Sequence, residues 1–267
     1  MNKYIIILLC CFSCLCISCR NDSTSPKKQS GAILKGRIFV EVNEGHDVNS
    51  QPSVPEIKLY SETEKEYVNC NYNIITEITH DDTRAIVNYS GIDIPDIALP
   101  ALGPASSYVN LPFETGQYLM KFNAYGRYDS YRVNITDDSI TLQPLQTNFT
   151  ACNNPLFWRF KPNSFVYLFG SSSNNQNHYE SLVDSLVIAN DLQEFEYPDY
   201  GVIPYAYARN WQYSETPPRY FIYQNDEDFE AIKETFAAYV TAHIGNDEQT
   251  YIRLVNWKNE QYRSNDL

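Results

Sequence analysis

Histidine is scarce in this chain, with only His46, His80, His178 and His243 among 267 residues. None of the four stands in an HxH, HExxH or HxxE spacing, and the two cysteines beyond residue 19 are not in a CxxC pair. Zinc centres are built from clusters of such ligands at short spacing, so a conventional metal site is not expected. Gly170-Ser171-Ser172-Ser173 lacks the second glycine of a nucleophile elbow, which argues against a serine hydrolase. GxGxxG and phosphate-loop motifs are missing too, and with them the dinucleotide and nucleotide enzymes. No cofactor is called for.

Positive charge is also in short supply. Twenty Lys and Arg face 33 Asp and Glu, a formal charge of −13. Such a surface repels phosphates, so nucleic acid and anionic headgroups are disfavoured as partners. Cationic ligands, neutral sugars and proteins stay open. Glycine is sparse as well, 10 residues against 14 Pro, 22 Tyr and 13 Phe, which suits strands joined by stiff loops. Past the first eighteen residues no apolar run approaches the roughly 20 residues that cross a bilayer.

The first nineteen residues read MNKYIIILLCCFSCLCISC. One cation, Lys3, precedes an apolar run from Tyr4 to Ile17, too short to span a hydrocarbon core but of the length of a signal-peptide h-region. Small Ser18 then precedes Cys19, and the chain turns polar at Arg20, Asn21, Asp22, Ser23 and Thr24. This junction resembles the lipobox of bacterial lipoproteins, in which a small residue precedes a cysteine that becomes thioether-linked to diacylglycerol. It departs from that pattern at Cys16, three places before Cys19, where the family usually has Leu. The resemblance implies residues 1–18 as a cleaved signal peptide and Cys19 as the lipidated N-terminus. It further implies a cell-envelope location at the outer membrane, facing the periplasm or the exterior, with the lipid bilayer as a partner through acylated Cys19. Each buried methylene contributes about 0.8 kcal/mol, so two or more acyl chains hold firmly. Residues 19–30 carry Ser, Pro and Lys and read as a polar tether. Losing residues 1–18 removes Lys3 and no acid, which makes the formal charge −14.

Five of the seven cysteines lie at or before residue 19, leaving Cys70 and Cys152 in the body. In an oxidising envelope two cysteines invite a disulfide, which would close a loop of 82 residues and contribute about 4 kcal/mol. Two buried free thiols are the other reading.

From about Gly31 to Gln146 the hydrophobic period is two. Ile38, Val40 and Val42 form one same-face row, and Val68, Cys70, Tyr72 and Ile74 a second. Tyr118, Met120, Phe122 and Ala124 form a third, and Tyr131, Val133 and Ile135 a fourth. Short strands broken by Gly and Pro predict an antiparallel β-sandwich over residues 31–147. The stretch LPFETGQYLMKFNAYGRYDSYRVNITDDSITL resembles the late hairpins of bacterial immunoglobulin-like or prealbumin-like modules in its pattern.

Residues 148–267 change character and predict a smaller α+β domain, giving a mainly β chain with an α+β C-terminal part. A strand is expected from Ser164, a helix over 179–193 and a strand at Arg219–Gln224. The best helix follows, with Phe229, Ile232, Phe236, Tyr239, Val240 and His243 on one face. Asn225 or Asp226 is its expected N-cap and Gly245 its C′ residue. A last strand is expected at Tyr251–Trp257.

The segment 195–223 is dense in rings and poor in aliphatics. Tyr197, Tyr200, Tyr205, Tyr207, Trp211 and Tyr213 are the candidate ligand-binding aromatics, a stacking platform for glycans or an anchor surface for an envelope protein. The same rings could instead cap the small domain's core. These features favour a membrane-anchored, non-catalytic binding or structural module. The competing expectation is a carbohydrate-active hydrolase with a carboxylate pair drawn from Glu194, Glu196 and Asp199 or from Asp226, Glu227 and Asp228.

Overall fold

The computed structural model describes residues 34–47, 52–97, 99–171, 174–206, 216–245 and 247–267. Among the described residues the strands fall into two sheets. The larger is built from β1 (Ile38–Gly45), β2 (Glu56–Tyr67), β3 (Asn73–His80), β4 (Arg84–Asp93), β5 (Gly103–Asn110), β6 (Gly116–Ala124), β7 (Arg127–Ile135), β8 (Ser139–Gln146), β9 (Thr150–Ala151) and β10 (Leu156–Trp158). They hydrogen-bond in the order β10-β8-β7-β6-β4-β3-β5-β2-β1-β9.

The predicted antiparallel sandwich gives way here to one unbroken, mixed ladder. β4–β6, β3–β5 and β1–β9 pair in parallel. The parallel β4–β6 pairing arises because the chain between them first runs through β5, which joins the sheet on the far side of β3. The ladder is also irregular between Glu62 and Glu66, between Ile75 and Thr76, and between Ser130 and Tyr131. Such irregularities bend strands and strengthen twist. The sheet curls until strands near its two edges meet: Tyr131 on β7 faces Thr150 on β9, hydroxyl to hydroxyl, at 2.9 Å.

The alternation read from the sequence is realised on the concave face. Ile38, Val40, Val42, Met120, Phe122, Ala124, Tyr131, Val133, Ile135, Ile140 and Leu142 are all buried in one core. The exception is the Val68–Ile74 row. Only Tyr72 and Ile74 are buried, while Val68 and Cys70 are exposed on the turn between β2 and β3. The first sheet keeps the chain as far as Trp158, past the change of character after Thr147.

The second sheet takes β11 (Ser164–Ser171), β12 (Gln193–Phe195), β13 (Arg219–Ile222), β14 (Thr250–Asn256) and β15 (Gln261–Arg263) in the order β12-β13-β11-β14-β15, every pairing antiparallel. Helix α1 (His178–Asn190) links β11 to β12, and α2 (Asp228–His243) links β13 to β14. Up to β14 this β-α-β-β-α-β path and strand order are a split βαβ arrangement, the ferredoxin-like topology. Tyr179, Leu182, Val183 and Leu186 of α1 and Phe229, Ile232, Phe236 and Val240 of α2 pack on Phe165, Tyr167 and Phe169 of β11.

α2 is capped as the residues suggest at one end and differently at the other. Gly245 takes φ +62° and its amide reaches Val240 O at 2.9 Å, closing the helix. At the start neither Asn225 nor Asp226 caps by its side chain. Asp228 instead reaches back and accepts the Asn225 amide at 2.8 Å.

Candidate functional site

All eight residues of β11 are buried, so the second sheet is covered on both faces. Helices cover one. The ring-rich segment after β12 covers the other: Phe160, Tyr205 and Tyr220 are buried with Val166, Leu168 and Val255, and Phe195, Tyr197 and Ile203 pack around them. Tyr205 is 2 % exposed, its hydroxyl paired with Ser164 Oγ at 2.8 Å. Tyr197 donates its hydroxyl to Arg159 O at 3.2 Å, and burial raises its pKa well above the ordinary phenol value. Of these two expected ligand-binding rings, Tyr205 is therefore packed core and half-buried Tyr197 packs against it. A two-helix split βαβ unit leaves one sheet face bare, and rings with polar tips close it while keeping their hydroxyls hydrogen-bonded.

Tyr200 is different. It is 64 % exposed and meets Trp158 edge to face, ring centroids 5.6 Å apart. Trp158 Nε1 donates to Tyr200 O at 2.6 Å, and main-chain bonds between Trp158 and Val202 and between Val202 and Leu156 fasten the loop to edge strand β10. Gly201 makes this possible. At φ +80° a Cβ would lie 3.0 Å from both Leu156 and the Trp158 nitrogen, so only glycine lets the loop lie flat there. Trp158 and Tyr200 form a ring pair at the surface of the first sheet's edge; sequence reading missed Trp158 because it lies outside the ring-rich stretch. Tyr207, Trp211 and Tyr213 fall outside the described residues, as does Cys19.

The carboxylates offered for hydrolysis are held in ion pairs and hydrogen bonds or lie exposed to solvent. Glu194 is held by both Arg219 Nε and Nη2 at 2.6 Å, and Glu180 takes Arg219 Nη1 at 2.7 Å. Glu196 and Asp199 are exposed on the loop. Asp226 accepts from Trp257 Nε1 and pairs with Lys258. A cleft of about 540 Å³ opens elsewhere, at the far end of the first sheet, lined among others by Glu44, Glu56, Asn110, Phe113, Glu114 and Arg159. Its deepest acid, Glu44, is saturated by Arg159 and the Phe160 amide, and Glu56 is engaged by Asn110. Among the described residues no group of three His, Cys, Asp or Glu is placed to hold a metal ion. His178 Nδ1 pairs with the Tyr239 hydroxyl at 2.9 Å, and the His243 ring lies 6.1 Å from that of His178 at the end of α2.

Cys70 and Cys152 are free thiols rather than a disulfide. Cys70 lies against Gly103 at the start of β5, and Cys152 follows β9. Since β1 and β2 stand between β5 and β9, the two are separated by about three strand spacings, some 14 Å. A bridge requires Cα atoms within about 7 Å. Burial and then the nearby Glu41 push the Cys152 thiol up to about 11, the contact with Asn154 O opposing only in part. At pH 8 an aromatic disulfide reagent is expected to titrate one thiol of the folded body within minutes, Cys70, and to reach Cys152 only on unfolding. Two fast thiols, or none, would contradict this placement.

Comparison with protein-family models, with curated proteins and with solved structures finds no match for this chain.

Proposed function

We propose that this chain is an envelope lipoprotein, anchored through acylated Cys19, that presents a non-catalytic binding or structural module to a glycan or protein partner. The observation that carries this reading is the polarity of the first sheet. The chain enters at one end, where Arg37 O accepts the Glu64 amide at 2.9 Å. The second sheet is fastened at the opposite end, through Arg159 on Glu44 and Thr136 and through Ser53 and His46 on the β14–β15 turn. Strands of eight or nine residues separate the two ends by roughly 27–30 Å. A chain held at its N-terminus thus carries the second sheet and the Trp158–Tyr200 pair away from the anchor.

The test compares wild type with Cys19→Ala. Radiolabelled palmitate is expected in the first and not in the second. Cross-linking in intact cells is then expected to capture an envelope polymer or protein with wild type, at least tenfold less with Trp158→Ala/Tyr200→Ala. Palmitate in neither chain removes the anchor from this reading, and equal capture removes the ring pair.

A further inference from the structure

The entry end of the first sheet carries a cluster of exposed aliphatic side chains. Val68 is 70 % exposed, Ile97 76 %, Leu99 51 % and Leu102 72 %, with Ile94 beside them. Isolated exposed aliphatics are ordinary, but these belong to two segments that are pinned together. Asn71, on the turn that follows Val68, donates its side-chain amide to Ile97 O at 2.7 Å and accepts the Leu99 amide at 3.1 Å. Cys70 packs on Gly103, next to Leu102. Tyr125, on the β6–β7 turn, joins the same end by donating to Ser90 O at 3.2 Å and is itself 52 % exposed. Aliphatic tips with a half-exposed tyrosine at the margin match a surface that settles into the boundary between headgroups and acyl chains.

The occupant follows from where the chain begins. Tyr67 is paired with Gly103, and three residues earlier on the same strand the Glu64 amide donates to Arg37 O. The described chain therefore starts beside the apolar cluster, at the end opposite the second sheet. Only 14 residues lie between Cys19 and Leu34, a reach of at most about 50 Å when drawn out straight. Acyl chains on Cys19 would hold this end nearest the bilayer. Asp93 and Asp96 flank the cluster and the chain as a whole carries a formal charge of −13, which points to zwitterionic rather than anionic lipid.

We propose that the turn at Val68–Asn71 and the exposed side chains of Ile94, Ile97, Leu99 and Leu102 dock on the zwitterionic lipid surface to which Cys19 is attached, as a second and shallow membrane contact. The proposal rests on the lipoprotein reading for its orientation. It makes the first sheet a stalk that stands on its loop end rather than a body swinging on a string.

Cys70 lies within the patch and supplies its own reporter position. The mature, acylated chain, labelled at Cys70 with the fluorophore NBD and reconstituted in phosphatidylcholine–phosphatidylethanolamine vesicles, is expected to show blue-shifted emission several-fold brighter than in buffer. A nitroxide-bearing lipid should quench it. Ile97→Asp/Leu102→Asp, still acylated, is expected to return the emission to its value in water. The same label at Thr115→Cys in a Cys70→Ser chain, at the opposite end, is expected to stay water-like. Water-like emission from Cys70 in a chain whose acyl groups are confirmed by mass spectrometry overturns the docking surface. If mass spectrometry finds Cys19 bare, the anchor fails by itself and the patch is judged with excess vesicles: a blue shift sustains it, and none overturns it.

Discussion

Replacing Asp129 with alanine is expected to remove about 4 kcal/mol of folding stability, read as a fall in the urea midpoint, and Asp129→Asn about half of that. Asp129 is 2 % exposed on β7, close to one edge of the large sheet. Its carboxylate accepts five hydrogen bonds from the strand at the other edge: the amides of Asn148 (2.6 Å), Phe149 (2.9 Å) and Thr150 (2.6 Å), the Asn148 side chain (3.1 Å) and the Thr150 hydroxyl (2.6 Å). It is the staple that closes the curl. Alanine would leave several buried donors without an acceptor, each costing about 1–3 kcal/mol, and would free β9 from β1. Asparagine keeps the size but loses the charge and turns one acceptor into a donor facing an amide.

The same residue gives the fold an acid limit. Burial alone would raise the Asp129 pKa; the Thr150 hydroxyl and the amides of Phe149, Thr150 and Asn148 outweigh it and hold the carboxyl below its usual range. A depressed carboxyl stabilises the fold above the unfolded value near 4 and loses that contribution as the pH drops below it. Wild type is expected to lose stability more steeply than Asp129→Asn as the pH falls below about 4. Parallel curves would show that the carboxylate is not what the amides hold.

Much of this fold can be read from the sequence, because alternation reports the buried face directly. The rows at Ile38–Val42, Tyr118–Ala124 and Tyr131–Ile135 each set an inward face, and all but half-buried Tyr118 are buried there. The helical spacing of Phe229, Ile232, Phe236 and Val240 likewise fixed the face of α2. What alternation does not carry is strand order. Nothing local tells β4 to pair with β6 in parallel, or places β9 beside β1, since those pairings depend on which distant edges meet. The Val68–Ile74 row shows a second limit: a two-residue period persists through a turn whose apolar residues face outward. The ring-rich segment shows a third. Whether Tyr205 binds a ligand or fills a core depends on the covering of β11, which no window of sequence around Tyr205 contains. Asp129 is equally silent in sequence, one acid among 33, until its five donors converge on it.

Replacing Glu44 with alanine is expected to detach the second sheet from the first without unfolding either. The Glu44 side chain is 4 % exposed and receives Arg159 Nε at 2.8 Å and Nη2 at 2.7 Å on one oxygen, and the Phe160 amide at 2.9 Å on the other. Arg159 Nη1 completes its fork on Thr136 O at 2.7 Å. Removing one partner of a buried, hydrogen-bonded pair costs about 3–5 kcal/mol, much of it from the charge left behind. That loss falls on the short crossing between the sheets, which lies outside the two large cores although Phe160 is buried with Tyr205 and Tyr220. Trypsin is therefore expected to cut at Arg159-Phe160 on the order of a hundredfold faster in Glu44→Ala, where cleavage follows the population of the open crossing. His46 reinforces the joint by donating Nε2–H to Trp257 O at 2.9 Å and packing edge-on against Phe160. Its burial, with Lys58 adding to the effect and the Trp257 carbonyl opposing it, holds its pKa below the ordinary imidazole value. A neutral His46 thus supports the joint at neutral pH, and that support is lost as the pH falls below about 6.5. Cleavage of wild type at pH 5.5, by a protease active there, should move towards that of Glu44→Ala, whereas His46→Gln should cut alike at both pH values. Equal cutting of wild type and Glu44→Ala would mean that the sheets are joined by something other than this ion pair.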